Sequence, residues 1–285
     1  MSNVIPFSVP RAKSQSGQIE ALIRCFATQR RFGDDVFWLK ENAELLNILY
    51  SSGLSVDSEH LAPYRSFYAS IEKRMLFFPQ YYRFLLSITQ DLEALGLARG
   101  KAVPLANWVD AQSLVSAELS DLQRAEANRL LRRGGLKIAS REDGLNERLH
   151  RFINHSQTFA VPNKKAAYEL THIVFYLSEY GHQDPKISAA ALISLEFAGL
   201  LAWLDQNVDL LSEICIAMRF AGGIPPSEWE AWIAKELGDY QIFECPNGAV
   251  QDDYHSYFIC NWLAALCDSP VFEGKMLARA MSFQA

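Results

Sequence analysis

Glu169 and His172 stand three residues apart in AYELTHIVFYLSEYGH, residues 167–182, and Asp252 and His255 repeat that spacing in QDDYHSYFICNWLAALC. A carboxylate and an imidazole at i and i+3 share one helix face, the arrangement by which helical bundles assemble carboxylate-bridged metal pairs. Between the two pairs lies NVDLLSEICIAMRF, in which Asp209 and Glu213 are one turn apart. Three segments would thus supply Glu-x-x-His, two carboxylates and Asp-x-x-His to a two-metal centre, with Glu147 or Glu196 as the fourth contributor. A simpler arrangement needs one ion and three donors, His172, His255 and Glu213, a two-histidine, one-carboxylate site.

The spacing has an ordinary reading as well. Five of the six histidines follow an acid by three residues, so the interval cannot mean metal each time, and acid–imidazole pairs of this kind also stabilise a single helix. Successive helical residues advance by about 100°, which places Leu170, Ile173, Val174 and Leu177 on one side of the 167–182 segment. Glu169, His172, Tyr176 and Glu179 fall on the other. His255 leads a stripe continued by Ile259, Trp262 and Leu266, which should carry its imidazole inward, with Tyr254, Tyr257 and Tyr240 as candidate wall residues.

These residues need rods to hold them, and helical periodicity runs through nearly the whole chain while alternating strand patterns are almost absent. The expected fold is all-α, a bundle or an array of α/α hairpins closing like a toroid. About twelve helices are expected, near residues 17–31, 35–51, 58–77, 80–95, 107–133, 144–157, 164–179, 187–205, 208–221, 227–237, 252–268 and 271–282. Ser227 and Glu230 read as a capping box. The 187–205 helix is apolar on almost all sides and is expected at the centre of the C-terminal half, with Glu196 its misfit. Gly134 and Gly135 open a flexible connection, 134–145, between an N-terminal helical region, 1–133, and a C-terminal one, 146–285, although the two could form one continuous domain.

Composition narrows the function. The 285 residues are 49% hydrophobic, enough for a substantial core, but no apolar run reaches membrane-spanning length and no export signal opens the chain, so the expectation is a soluble cytoplasmic protein. Five cysteines without Cys-x-x-Cys spacing argue against a disulfide framework or a thiolate zinc site. Residues 1–133 carry 16 basic and 14 acidic groups, and 134–285 carry 11 and 19, which disfavours nucleic acid as a partner of the acidic half. Arg129, Arg132, Arg133 and Lys137 make the densest basic cluster, at a helix C-terminus where cations complement the backbone dipole. Phosphate-loop, dinucleotide, serine-hydrolase and His-Glu-x-x-His motifs are missing.

Thr171-His172-x-x-Phe175-Tyr176 with Gly181, then Asp209-Leu210-Leu211-x-Glu213, then Tyr254-His255 resembles a pattern in uncharacterised helical bacterial proteins associated with natural-product or peptide-modification genes. The resemblance spans the C-terminal half, departs at Ser178-Glu179-Tyr180, and implies that His172, Glu213 and His255 belong to one site. The expectation is therefore a metal-dependent helical enzyme acting on a small molecule or peptide. Glu169, His172, Asp209, Glu213, Asp252 and His255 are the candidate ligands, and His172, Tyr176, Glu213 and His255 the candidate catalytic groups. Iron or manganese would suit oxidation and zinc hydrolysis. A metal-free cyclase or transferase using the same side chains as acids and bases, or a non-catalytic subunit binding a peptide or protein partner, are the alternatives.

Overall fold

The computed structural model describes residues 15–28, 30, 35–138, 144–240, 242–243, 254–272 and 276–277. Among them thirteen α-helices follow one another: α1 (Gln15–Thr28), α2 (Asp35–Ser51), α3 (Arg65–Ala69), α4 (Ile71–Phe77), α5 (Tyr82–Ala94), α6 (Ala102–Ala111), α7 (Asp121–Arg133), α8 (Leu145–Ile153), α9 (Lys164–Leu177), α10 (Ala189–Leu204), α11 (Val208–Phe220), α12 (Ser227–Asp239) and α13 (Tyr254–Leu266). The only other regular pairing among the described residues is a two-residue parallel ladder, β1 (Ile242–Phe243) with β2 (Met276–Leu277). The fold is all-α.

The helices form a closed ring. Neighbours pack in the order α2, α5, α7, α9, α11, α13, and α13 returns to α2. Partners rise together along adjacent rods: Arg83, Gln90 and Asp91 of α5 meet Glu126, Leu130 and Arg133 of α7, and Tyr168 and Thr171 of α9 meet Asp209 and Glu213 of α11. α5 and α7, and α9 and α11, therefore run parallel, as do α11 and α13, where Asp209 meets His255 and Ser212 meets Cys260, and the segments between these helices return the chain. α6 leans on α5 and α7, α8 on α7 and α9, α10 on α9 and α11, and α12 on α11 and α13. Phe26 of α1 reaches Tyr254 and Phe258, so α1 covers the seam between α13 and α2.

Local sequence sets these rods. Asn163, Ser188 and Asn207 cap α9, α10 and α11 by accepting from the backbone amides of Ala166, Ala191 and Leu210. Every residue of α11 from Leu210 to Met218 is buried, because an inner helix touches neighbours on both flanks and a cover outside. Leu211, Ile214 and Ile216 are fully enclosed, each such burial worth about 2 kcal/mol.

Several expectations are corrected. The 187–205 helix is peripheral, not central: α10 packs through Ala191, Leu195, Ala198 and Ala202, while Ile193, Phe197, Leu200, Leu204 and Glu196 face outward. Its small-residue face needs only one side covered, and Gly199 lets Trp229 come so close that a Cβ would lie 2.3 Å from that ring. The expected helix 107–133 breaks where Ser113 adopts φ 54° and Leu114–Ala117 forms a 3-10 turn, giving α6 and α7. The expected helix 58–77 likewise divides into a 3-10 turn, Ser58–Tyr64, that contains Pro63, followed by α3 and α4. No capping box forms at α12, because Arg219 takes the Glu230 carboxylate at 2.7 Å and Pro226 occupies the cap. The flexible connection coincides in part with residues 139–143, which lie outside the described residues, as does most of the expected helix 271–282. No helix among the described residues is long and apolar enough to cross a membrane.

Candidate functional site

Asp209 occupies the first turn of α11 behind its Asn207 cap, and Glu213 follows one turn deeper, only 1% exposed. Alongside, His255 is the second residue of α13, so the parallel packing of two inner helices sets imidazole against carboxylate. Its Nδ1 lies 2.6 Å from Asp209 Oδ1 and its Nε2 is 3.9 Å from Glu213 Oε1. From α9, the Tyr168 hydroxyl donates to Asp209 Oδ2 at 2.7 Å and the Thr171 hydroxyl donates to Glu213 Oε2 at 2.5 Å. Each acid thus has one oxygen tied to α9 and the other turned toward His255.

Charge follows geometry. Burial disfavours the His255 imidazolium, but the Asp209 hydrogen bond and the charges of Glu44, Asp209 and Glu213 outweigh it and raise its pKa to about 9. Burial likewise opposes the Asp209 carboxylate, and the hydrogen bond and charge of His255, joined by Tyr168, more than compensate, so Asp209 lies below its ordinary value. Enclosure wins at Glu213, whose pKa is raised although His172 and His255 pull it down. Near neutral pH the trio therefore holds an imidazolium–carboxylate pair beside a carboxyl that resists ionising.

The same interior continues around the ring. Tyr254 donates to Glu44 of α2 at 2.7 Å, and Lys40 approaches that acid at 3.6 Å. His172 stacks on Tyr176 at 6.0 Å and meets the edge of Phe175 at 5.9 Å. Tyr176 is held protonated by burial, with Glu126, Arg129 and Arg83 as the charged groups around it. Farther along, Arg129 is 3% exposed, pairs with Glu179 at 3.1 Å and stands 4.2 Å from the Tyr180 ring, which stacks on Trp262. Glu179, Tyr180 and Gly181 hold successive left-handed conformations, φ 48°, 56° and 89°, and a Cβ at Gly181 would meet Phe220 at 2.4 Å. Two non-glycine residues in that region store strain of about 1–3 kcal/mol each.

Asp209, Glu213 and His255 are brought together, each offering a ligand atom within 4.8 Å of the others. His172 stands beside them, its charge acting on Glu213, but outside that donor group. Tyr176 serves as its stacking partner. Glu169 is a correction: it turns outward to Lys165 at 3.8 Å, because a residue 60° around the helix from His172 faces the rim instead of α11. Glu147 and Glu196 are exposed and contribute nothing to the cluster. Asp252 lies outside the described residues. The basic cluster is corrected as well, since Arg129 and Arg133 turn inward to Glu179 and Asp91.

Sequence reasoning missed Tyr168, Thr171 and Glu44. A signal existed for the first two: Tyr168 and Thr171, three residues apart, put two hydroxyls on one face of the helix that carries His172. Glu44 had none, because 210 residues separate it from Tyr254.

The donor set of two carboxylates and an imidazole suits iron, manganese or zinc. Tyr168 and Thr171 supply the outer hydrogen bonds that orient ligating acids, so these residues fit an ion, whose entry would displace the His255 proton. No curated protein and no solved structure matches the chain. A family does, over residues 1–285: the protein belongs to the family described as Domain of unknown function (DUF6902).

Proposed function

We propose that this protein is a metal-dependent helical enzyme, acting in the cytoplasm on a small molecule or peptide, with its centre at Asp209, Glu213 and His255. One observation carries the reading: three donors from two parallel helices converge within 4.8 Å while Tyr168 and Thr171 occupy the oxygens that face away. These three residues would hold the ion, which would bring oxidative chemistry as iron or manganese and nucleophile activation as zinc. His172 lies close enough to bear electrostatically on Glu213, and Tyr176 stacks against its ring. The resemblance noted for the C-terminal half supports His172, Glu213 and His255 belonging to one site.

Metal content tests this. Purified protein incubated with Fe(II), Mn(II) or Zn(II) and then desalted is expected to retain about one equivalent of one of them, and His255→Ala is expected to lose it. Wild-type protein that emerges metal-free from all three overturns the reading. A second reading is favoured by the 2.6 Å His255–Asp209 bond, which compensates the charges without an ion. In it, His255 and Glu213 act as acid and base on a metal-free substrate. Ligand turnover that survives chelator and disappears in His255→Ala selects that reading.

A further inference from the structure

The outer helix α10 has two apolar faces, and the described residues cover only one of them. Its sequence, AAALISLEFAGLLAWL, holds a single charge, Glu196. A helix that is apolar all round is ordinarily enclosed all round. Ala191, Leu195, Ala198 and Ala202 pack inward against α9 and α11, while Ile193, Phe197, Leu200 and Leu204 remain 42%, 38%, 49% and 67% exposed. At about 100° per residue these four fall within about 60° of one another, opposite the inward face. Their intervals of four, three and four make the seam of a left-handed coiled coil, which fits another helix bearing the same seam.

The exposed parts of the four amount to about two whole side chains, roughly 300–400 Å². A patch of that size marks an interaction surface, and a standard dimer interface buries about 800 Å² on each copy around an apolar core of this kind. The seam itself carries no charge for an acidic or basic partner to read. The other exposed large apolar side chains among the described residues are single positions or the run Leu76 to Phe78. The matching seam is therefore α10 of a second copy. Antiparallel pairing about a two-fold axis sets Phe197 against Leu200 and Ile193 against Leu204 of that copy, closes the assembly and opposes the two helix dipoles. Glu196 flanks the seam and comes opposite Leu201, so the two Glu196 carboxylates are staggered by about 7.5 Å along the axis and do not meet.

We propose that the protein forms a two-fold dimer through α10, antiparallel, with Phe197 and Leu200 nearest the axis. The pairing is independent of the metal reading. Sedimentation velocity of the full chain from about 1 to 100 μM, the range in which an interface of modest affinity dissociates, tests it. Wild-type protein is expected at twice the chain mass at the upper end. Phe197→Glu and Leu200→Lys should each weaken the dimer by roughly thirtyfold or more, because each buries a charge at the centre of the seam. Both positions are exposed in the single copy, so both variants keep the fold, which an unchanged urea midpoint for the monomer checks. Mixing the two variants should restore a dimer, since the antiparallel register sets position 197 of one against position 200 of the other and joins opposite charges. A wild type still monomeric at about 100 μM, a dimer that both variants leave intact, or a mixture that stays monomeric overturns the proposal. In the first case, co-sedimentation with phosphatidylcholine and phosphatidylglycerol vesicles that Phe197→Glu abolishes gives the face to a bilayer, and failing that to a different protein.

Discussion

Two sectors of the ring bury carboxylates in different company. Between α5 and α7, Asp91 is fully enclosed against Arg133, and Glu118 and Glu126 share Arg83. Between α9, α11 and α13, Asp209 and Glu213 face imidazoles instead. A guanidinium never gives up its proton in a protein and ligates no metal, so the first sector is locked in one charge state. An imidazole exchanges its proton within the biological range and ligates metals readily. Buried acid alone is thus a poor sign of chemistry, and the base that answers it decides.

The largest contrast comes from cutting each sector once. Arg133→Met should cost about 3–5 kcal/mol in urea unfolding at pH 7, because Asp91 is left as an unpaired charge. Glu213→Gln should cost less than about 1 kcal/mol, since the native carboxyl already resists ionising and an amide oxygen still accepts from Thr171. Equal costs would erase the distinction between the sectors.

Next in size is the pH response of metal-free protein. The folded-state pKa of His255 lies above the ordinary histidine value, so its stabilisation is complete below about 6.5 and disappears as pH rises through about 9. Unfolding free energy should fall over that window by on the order of 3 kcal/mol, and His255→Gln should flatten the curve there. A wild-type profile level from pH 6.5 to 9 would remove the imidazolium from the site.

Smaller still is the outer hydrogen bond. Thr171→Val or Tyr168→Phe should weaken metal binding by about 10–100-fold with the three donors intact. Unchanged affinity in both would mean that the α9 hydroxyls do not orient the acids. The smallest expected effect belongs to Glu169→Gln: its exposed pair with Lys165 should change stability by less than about 0.5 kcal/mol and metal affinity not at all. A drop in metal affinity there would return Glu169 to the ligand shell.

Much of the architecture is legible in the sequence, because a 3.6-residue pattern and its caps act locally. Which rods lie inside is not. α10 is the most apolar of the long helices yet sits outside, whereas α11, carrying Asp209 and Glu213, is enclosed. Inner helices of a ring can bury polar groups against one another, so hydrophobicity does not rank depth. The site shows the same limit. Glu169 and His172 attract the eye as neighbours on one helix, but the hydrogen bond in the cluster joins Asp209 to His255 across 46 residues. Spacing reports what shares a rod and is silent on which rods meet.

The return of α13 to α2 has a consequence for synthesis. Tyr254 grips an acid 210 positions earlier, and His255 beside it supplies the only imidazole in the three-donor group. A nascent chain on the ribosome can shape five sixths of the circle and still lack the imidazole of its three-donor group, so competence should arrive abruptly, with the docking of the last rod.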